Sequence, residues 1–270
     1  MVSFPPCKIN LGLNILNKRP DGYHNLETCF YPVSWTDILE IIPADTLTFS
    51  SSGNSIPGRA EENLCLQAYS LLKKDFDLQP VNIHLHKIIP TGAGLGGGSS
   101  DAAHTLRLLN TIFQINLSNE KLMQYAAALG SDCAFFIQDK PMLGSGRGDV
   151  LTEADVKLKG KFLLLVKPNI HVSTAQAYAN VKPNQPEVSL QHVLSTSAVS
   201  DWKNVVKNDF EESVFGKYPE IKDIKEKMYS LGAIYSSMSG SGSTVFGIFD
   251  APVNVNEPFS STENWSGILG

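Results

Sequence analysis

The stretch PTGAGLGGGSSDAA, Pro90 to Ala103, decides how the rest of the chain is read. Glycine stands at Gly92, Gly94, Gly96, Gly97 and Gly98. Ser99, Ser100 and Asp101 follow, residue types whose side-chain oxygens favour helix starts. Ala102, Leu106, Leu109 and Phe113 then recur at the spacing of one helix face. Upstream, VNIHLHKI (81–88) alternates as a half-buried strand does. The order strand, glycine loop, helix start presents free N–H donors and a partial positive charge where bare backbone can wrap an anion. The loop is expected to cradle phosphate.

Two familiar phosphate loops come close and fail on particular residues. Gly92, Gly94 and Gly97 satisfy GxGxxG, but a dinucleotide site also wants an acidic residue about twenty positions on, closing a second strand. That region, LSNEKLMQYAAALG (117–130), has helical spacing instead. Gly92 to Ser99 nearly spells GxxxxGKS, with Gly98 where the lysine must stand. A plain glycine turn is disfavoured because so many adjacent glycines cost backbone entropy.

At 270 residues the chain has room for one large domain or two small ones. Net charge is −5 with no basic block, which argues against a nucleic-acid partner. Apolar runs such as Phe162 to Val166 are too short to span a membrane, and MVSFPPCKIN lacks the features of a signal peptide. Cys7, Cys29, Cys65 and Cys133 are scattered with no CxxC pair, so reduced thiols and a cytoplasmic location are expected.

In chain order, CKINLGLNIL (7–16) reads as a strand with Lys8 and Asn10 on one face, either solvated edge residues or part of a site. Pro20-Asp21-Gly22 is a turn, with Tyr23 and His24 just beyond it. Strands are expected at 35–43 and 45–53, and a helix at 63–76. His84 and His86 share a strand face, but no third ligand has a recognisable spacing, so they are read as ordinary strand residues. The helix after the glycine loop should end near Phe113, and the next should run from Asn119 to Leu129 and stop at Gly130. Asp132 then lies at an element junction, as a helix cap or a catalytic carboxylate. GSGRGDVL (144–151) is a further glycine turn leading into a strand, and KGKFLLLVKP (159–168) a buried strand. A helix should open at Ser173 or Thr174, and 182–200, rich in Pro, Asn and Ser, reads as a mobile connection. Helices are expected in NDFEESVF and PEIKDIKEKMYSLG, the second with Pro219 in its first turn and Gly232 as its stop. SMSGSGSTVFGIF (237–249) gives a second glycine–serine loop before a strand. After Asp250 periodicity is lost and the tail reads as a loose cover.

Three motifs now stand together: PCKINLGL near the start, PTGAGLGGGSSDAA, and SGSGST near the end. In that order they resemble the GHMP kinase superfamily, ATP-dependent small-molecule kinases. KRPDGYHNLET, GSDCAFFI, KPNIHVSTAQAY and NDFE resemble the branch that phosphorylates a cytidine-diphosphate-bearing methylerythritol on its 2-hydroxyl, a step of the non-mevalonate route to isoprenoid precursors. The resemblance covers nearly the whole chain to about Asp250. It implies an α+β fold: an N-terminal ATP-binding domain, here 1–155, a C-terminal ferredoxin-like domain, here 156–270, and an active-site cleft between them.

The resemblance also implies roles. Pro90, Thr91, Gly92, Ala93, Gly94, Leu95, Gly96, Gly97, Gly98, Ser99 and Ser100 would bind the ATP phosphates. Lys8 and Asp132 match the catalytic lysine and aspartate. Asn10, Tyr23 and His24 match positions that hold the cytidine-bearing substrate, and Tyr178 an aromatic that sandwiches cytosine against the counterpart of Tyr23. Thr174 sits near that pocket, and Gly240, Ser241 and Gly242 line the cleft. No residue is assigned to a metal: Mg²⁺ would be held mainly by phosphates and water. A small-molecule partner and a monomer or weak homodimer are expected. Against the family pattern, Cys7, Ser131, Cys133 and Ala134 are departures that leave the charged residues in place. The alternatives are another GHMP kinase, of homoserine or mevalonate type, a catalytically silent nucleotide-binding protein, and a dinucleotide oxidoreductase.

Overall fold

The computed structural model describes residues 1–254 and 259–270. Among them the strands are β1 (Val2–Ser3), β2 (Pro6–Lys18), β3 (His24–Thr36), β4 (Ile38–Pro43), β5 (Thr48–Gly53), β6 (Val81–Lys87), β7 (Met142–Ser145), β8 (Val150–Glu153), β9 (Phe162–Lys167), β10 (Tyr235–Met238), β11 (Val245–Phe249) and β12 (Glu263–Ile268). The helices are α1 (Leu64–Asp75), α2 (Gly97–Ile112), α3 (Asn119–Leu129), α4 (Phe135–Gln138), α5 (Thr174–Tyr178), α6 (Leu190–Thr196), α7 (Phe210–Lys217) and α8 (Pro219–Ser230). By packing, the chain divides into two units. One holds Met1–Lys8, Trp35–Thr91 and Gly96–Lys140; the other holds Ile9–Ser34, Gly92–Leu95 and Pro141–Gly270.

In the first unit, β1, β4, β6 and β5 form one sheet in that order, antiparallel except for the parallel pair β5–β6. Period two places Val81, Ile83, Leu85 and Lys87 on the buried face of β6, while His84 and His86 turn to the other face. There His84 bonds the hydroxyls of Ser50 and Ser52, and His86 that of Ser52. The helices begin and end where local chemistry dictates. Asn63 caps α1 through the Cys65 amide, Ser118 caps α3 through the Lys121 amide, and α3 stops at Gly130. Leu106 and Leu109 of α2 are buried with Leu72 of α1 and Leu122 of α3.

In the second unit, β10, β11, β9 and β12 form an antiparallel sheet. Its apolar side meets α7 and α8, joining Leu164, Val166 and Val245 to Phe210, Val214, Ile221 and Met228. Pro219 opens α8, where a missing N–H costs nothing. A third sheet runs β2, β3, β7, β8.

Two expectations are corrected. The tail does not lie loose: Glu263–Ile268 pairs along β9 from Lys167 to Phe162, main-chain bonds that need no side-chain periodicity. Residues 255–258 of that tail lie outside the described residues. The stretch 182–200 contains helix α6, capped by Ser189 and held by buried Leu190 and Leu194. No helix among the described residues is long and apolar enough to cross a membrane.

Candidate active site

The glycine loop leaves β6 at Lys87 and enters α2 at Gly97. Gly96 is the N-cap in the left-handed region (φ 69°, ψ 14°), a conformation that disfavours a Cβ. The helix therefore starts two residues earlier than the polar run suggests. Ser99 and Ser100 lie inside its first turn with Asp101 just after, and no side chain caps it. The first intrahelical bond in that turn is Ser100 N–H to Gly96 O. The amides of Gly97, Gly98 and Ser99 thus precede the intrahelical ladder, as a phosphate site requires.

Lys8 and Asp132 both belong to the first unit, and they meet. Lys8 Nζ stands 3.5 Å from Asp132 Oδ2, with the lysine side chain buried and the carboxylate 34 % exposed. The solvated-edge reading of Lys8 and Asn10 is excluded, since both are almost wholly buried. Asp132 sits in the turn before α4, whose N-cap is Ala134, so it does not cap that helix. A Cβ on Gly96 would lie 3.2 Å from Lys8 Cε and 3.0 Å from the Phe136 ring, so the loop presses directly on the lysine stem. Cys133 is buried beside the aspartate; burial pushes its thiol up to about 11, and Ser99 hydrogen-bonds it. The thiol of Cys7 is also driven upward, first by burial and then by Asp37, so both cysteine departures place inert thiols behind the charged pair.

The sequence reading missed a second charged cluster at the root of the same loop. Lys87, buried at the inward end of β6, bonds Asp37 and, at 2.7 Å, Asp101 Oδ2. Asp37 Oδ1 also accepts from the amides of Ile88 (2.6 Å) and Ile89 (2.8 Å), fixing the chain just before the loop. A Cβ on Gly97 would lie 3.0 Å from Lys87 Nζ. Burial pushes the Asp101 carboxyl up to about 7, with Asp37 adding to the rise and Lys87 opposing it. Burial alone would lower Lys87, but Asp101 and Asp37 together raise it. The two directions agree physically: one ammonium stays charged against one carboxylate, and the second carboxylate takes a proton. A signal was present, because period two puts Lys87 in line with Val81, Ile83 and Leu85.

In the second unit, Asn10 Nδ2 donates to Thr28 Oγ1 at 2.9 Å, and Thr28 Oγ1 donates to the Gly12 carbonyl at 2.6 Å. A Cβ on Gly240 would lie 3.4 Å from Asn10 Oδ1. Gly240, Ser241 and Gly242 occupy the turn between β10 and β11, which grips the start of the glycine loop. Ser239 Oγ donates to the Gly94 carbonyl at 2.9 Å, and the Thr244 amide donates to the Ala93 carbonyl at 3.2 Å. A Cβ on Gly94 would fall 2.1 Å from the Ser239 carbonyl oxygen, so only glycine fits. Ser173 caps α5 with Gln176 completing a capping box, leaving Thr174 as its exposed first residue. Tyr178, its last residue, stacks on His24 (centroids 4.9 Å, planes 19°) and meets Phe210 edge-on at 4.7 Å. Tyr23 is 58 % exposed, with the Arg147 guanidinium 5.2 Å from its ring centroid. Among the described residues, no three His, Cys, Asp or Glu side chains gather where they could hold a metal.

Residues 63–140 match the GHMP kinases N terminal domain and residues 191–257 the GHMP kinases C terminal domain. A 4-diphosphocytidyl-2-C-methyl-D-erythritol kinase of Cytophaga hutchinsonii is 54 % identical over 269 residues, covering 99 % of this chain and 97 % of the relative. The chain belongs to the 4-diphosphocytidyl-2-C-methyl-D-erythritol kinase family of GHMP kinases. A member from Bacteroides fragilis is 53 % identical over 92 % of both chains. A crystal structure of a 4-(cytidine 5'-diphospho)-2C-methyl-D-erythritol kinase is 31 % identical, covers 100 % of this chain and 99 % of its own, and superposes with a TM-score of 0.82. As a member of this family, the chain is an ATP-dependent small-molecule kinase with the GHMP kinase fold.

Proposed function

We infer that this kinase transfers the γ-phosphoryl group of ATP to the 2-hydroxyl of 4-diphosphocytidyl-2-C-methyl-D-erythritol, giving the 2-phosphate and ADP. The observation that carries the chemistry is the Lys8–Asp132 pair, 3.5 Å apart and in touch with the glycine loop through Gly96. Phosphoryl transfer leaves little covalent work to a protein, so positioning and charge stabilisation dominate. Asp132, the more exposed partner, accepts the proton of the attacking hydroxyl. Lys8 donates to that oxygen and to the incoming phosphoryl, fixing both in one geometry. The amides of Gly97, Gly98 and Ser99 at the positive end of α2, with the loop from Pro90 to Ser100, hold the phosphates.

The amides and hydroxyls of the loop suit a metal that arrives on the nucleotide. Magnesium would be held mainly by phosphates and water, and bound there it would neutralise charge on the phosphate oxygens. Tyr23, His24 and Tyr178 would hold the cytosine, with Asn10, Thr174 and the Gly240–Gly242 turn beside the substrate. Stacking on an aromatic ring contributes about 1–3 kcal/mol per base, enough to fix a nucleotide handle. The division into an ATP-side part at 1–155 and a substrate-side part at 156–270, a cytoplasmic location and a monomer or weak homodimer belong to the same proposal.

The test is an ATP-turnover assay with the cytidine-diphosphate substrate beside homoserine and mevalonate. Turnover confined to the first, competed by cytidine nucleotides, is the expected result. Turnover of homoserine or mevalonate with no competition by cytidine nucleotides would replace this reading with the other GHMP kinase types.

A further inference from the structure

The GSGRGDV turn has so far no part in the reaction. It links β7 to β8 and docks on the start of β3, where the Leu26 amide donates to the Gly146 carbonyl at 2.8 Å. Gly146 and Gly148 both adopt positive φ, 67° and 92°, which curls the turn tightly enough for Asp149 to reach back over it. Asp149 Oδ1 accepts from the Arg147 amide at 3.0 Å, and Oδ2 accepts from Arg147 Nε at 3.2 Å and Nη2 at 3.1 Å. Three bonds from one carboxylate thus hold one arginine. Burial alone would raise the Asp149 carboxyl, but Arg147 keeps it below the ordinary range, so the clamp stays charged. The guanidinium so held lies over the Tyr23 ring. That ring follows a turn fixed by its own pair, Arg19 with Asp21, and by the Tyr23 amide bonding Asp21 Oδ1 at 3.1 Å.

A cation 5.2 Å from a ring centroid occupies one face of that ring. Tyr23 nevertheless remains 58 % exposed, so its other face is turned outward. An exposed tyrosine with nothing behind it would sample several rotamers and lose entropy on stacking. A ring backed by a clamped, planar cation has already lost that freedom, and its electrons are drawn away from the face a base would meet. We propose that Arg147, held by Asp149, is a positioning residue for the cytidine end of the substrate: it fixes Tyr23 from behind and presents the opposite face to the base. This rests on the reading of Tyr23 as a base-stacking residue.

The experiment compares Arg147→Ala, Arg147→Lys, Tyr23→Leu and the double variant Tyr23→Leu/Arg147→Ala. Readouts are KM for the cytidine-diphosphate substrate, KM for ATP, kcat and Tm, with calorimetric titration of CDP and of unphosphorylated cytidine. The expected result for Arg147→Ala is a rise of about five- to tenfold in the cytidine-substrate KM, with KM for ATP and kcat within about twofold and Tm unchanged. Arg147→Lys, which keeps the charge but loses the planar fork, should fall between. CDP and cytidine should weaken by the same factor, and the effect should vanish in the Tyr23→Leu background. An unchanged KM, or an equal loss with and without Tyr23, would overturn the proposal. So would weaker CDP with unaffected cytidine, which would make Arg147 a diphosphate contact. Wild-type protein that turns over no cytidine substrate would remove the functional reading, while the CDP and cytidine titrations would still decide Arg147 separately.

Discussion

Two lysine–aspartate groups flank the start of α2, and they differ in almost every physical respect. Lys8 lies 3.5 Å from the Asp132 carboxylate, which is a third exposed. Lys87 is sealed between two carboxylates, Asp37 and Asp101, neither of which reaches solvent. A loose, half-open pair is poor at stabilising a fold but can exchange a proton and admit a substrate. A closed triad sealed from solvent can do neither, yet removing its ammonium leaves an unpaired charge in the core. The adjacent glycines divide between them: Gly96 abuts Lys8 and Gly97 abuts Lys87. One loop therefore sits between a half-open pair and a closed triad.

The comparison predicts a separation of activity from stability. Asp132→Asn should lower kcat by about 10²- to 10⁴-fold, the range for losing a general base. Its stability should change by about 1 kcal/mol or less, because the pair is partly solvated. Steady-state turnover beside denaturant melts tests this. Wild-type turnover in Asp132→Asn would sink the assignment and revive a silent nucleotide-binding protein. Lys87→Met should do the reverse, losing about 3–5 kcal/mol of stability because a buried carboxylate charge is left uncompensated. Activity per folded molecule should fall far less than in Asp132→Asn, and an equal fall would erase the distinction.

This asymmetry also governs what the sequence made legible. The open pair was readable because Lys8 and Asp132 sit in motifs, and motifs mark residues by local spacing. Strand β6, helices α1 and α3 and the stops at Gly130 and Pro219 were readable because periodicity and caps are local as well. The triad joins residues 50 and 14 positions apart, and no local pattern names a partner at that range. Only half the signal was present, in a lysine on the inward face of a strand. The tail strand β12 was illegible for a related reason: its place is set by main-chain bonds to β9, and none of its own residues is buried. Helix α6 was hidden by a Pro- and Ser-rich surrounding, although Ser189, Leu190 and Leu194 carry a cap and an apolar face. The start of α2 misled because a left-handed glycine replaced the usual polar cap, so no side chain caps the helix.

The buried side of the comparison should also respond to pH. His104, on α2, shares a hydrogen with Ser3 Oγ at 2.6 Å through Nδ1, and burial lowers its pKa to about 4. Between about pH 6.5 and 4 the unfolded chain binds the extra proton and the folded chain does not. Stability therefore falls as pH drops through that window, by up to about 3 kcal/mol. Asp101 has the opposite sign: its folded pKa is raised, so its contribution is full below about pH 4 and is lost as pH climbs towards 7. In the wild type these slopes oppose each other. His104→Asn should leave a protein whose unfolding free energy declines from about pH 4.5 to 6.5, and Asp101→Asn one whose free energy rises over the same range. Chemical denaturation at the two pH values reads this directly, and parallel slopes in the two variants would show that neither group titrates as its burial requires.

The finest division is between neighbouring residues. Gly96→Ala places a Cβ at φ 69°, a strain of about 1–2 kcal/mol, and brings it 3.2 Å from Lys8 Cε and 3.0 Å from the Phe136 ring. The ring is buried and cannot yield, so the lysine must. A displacement of a few tenths of an ångström in a group that aligns two reactants should cost about tenfold or more in kcat. Gly97→Ala lies in helical backbone, where alanine is tolerated, but its Cβ falls 3.0 Å from Lys87 Nζ and 3.1 Å from Ile89 Cγ2. Its cost should appear first as about 1 kcal/mol of stability, through the triad, with a smaller fall in kcat than Gly96→Ala. Kinetics and melts on the two variants together give a ratio that neither gives alone. If Gly97→Ala proved the worse enzyme and Gly96→Ala the less stable protein, the loop would not divide the two clusters, and the chemistry would have to be sought at Lys87.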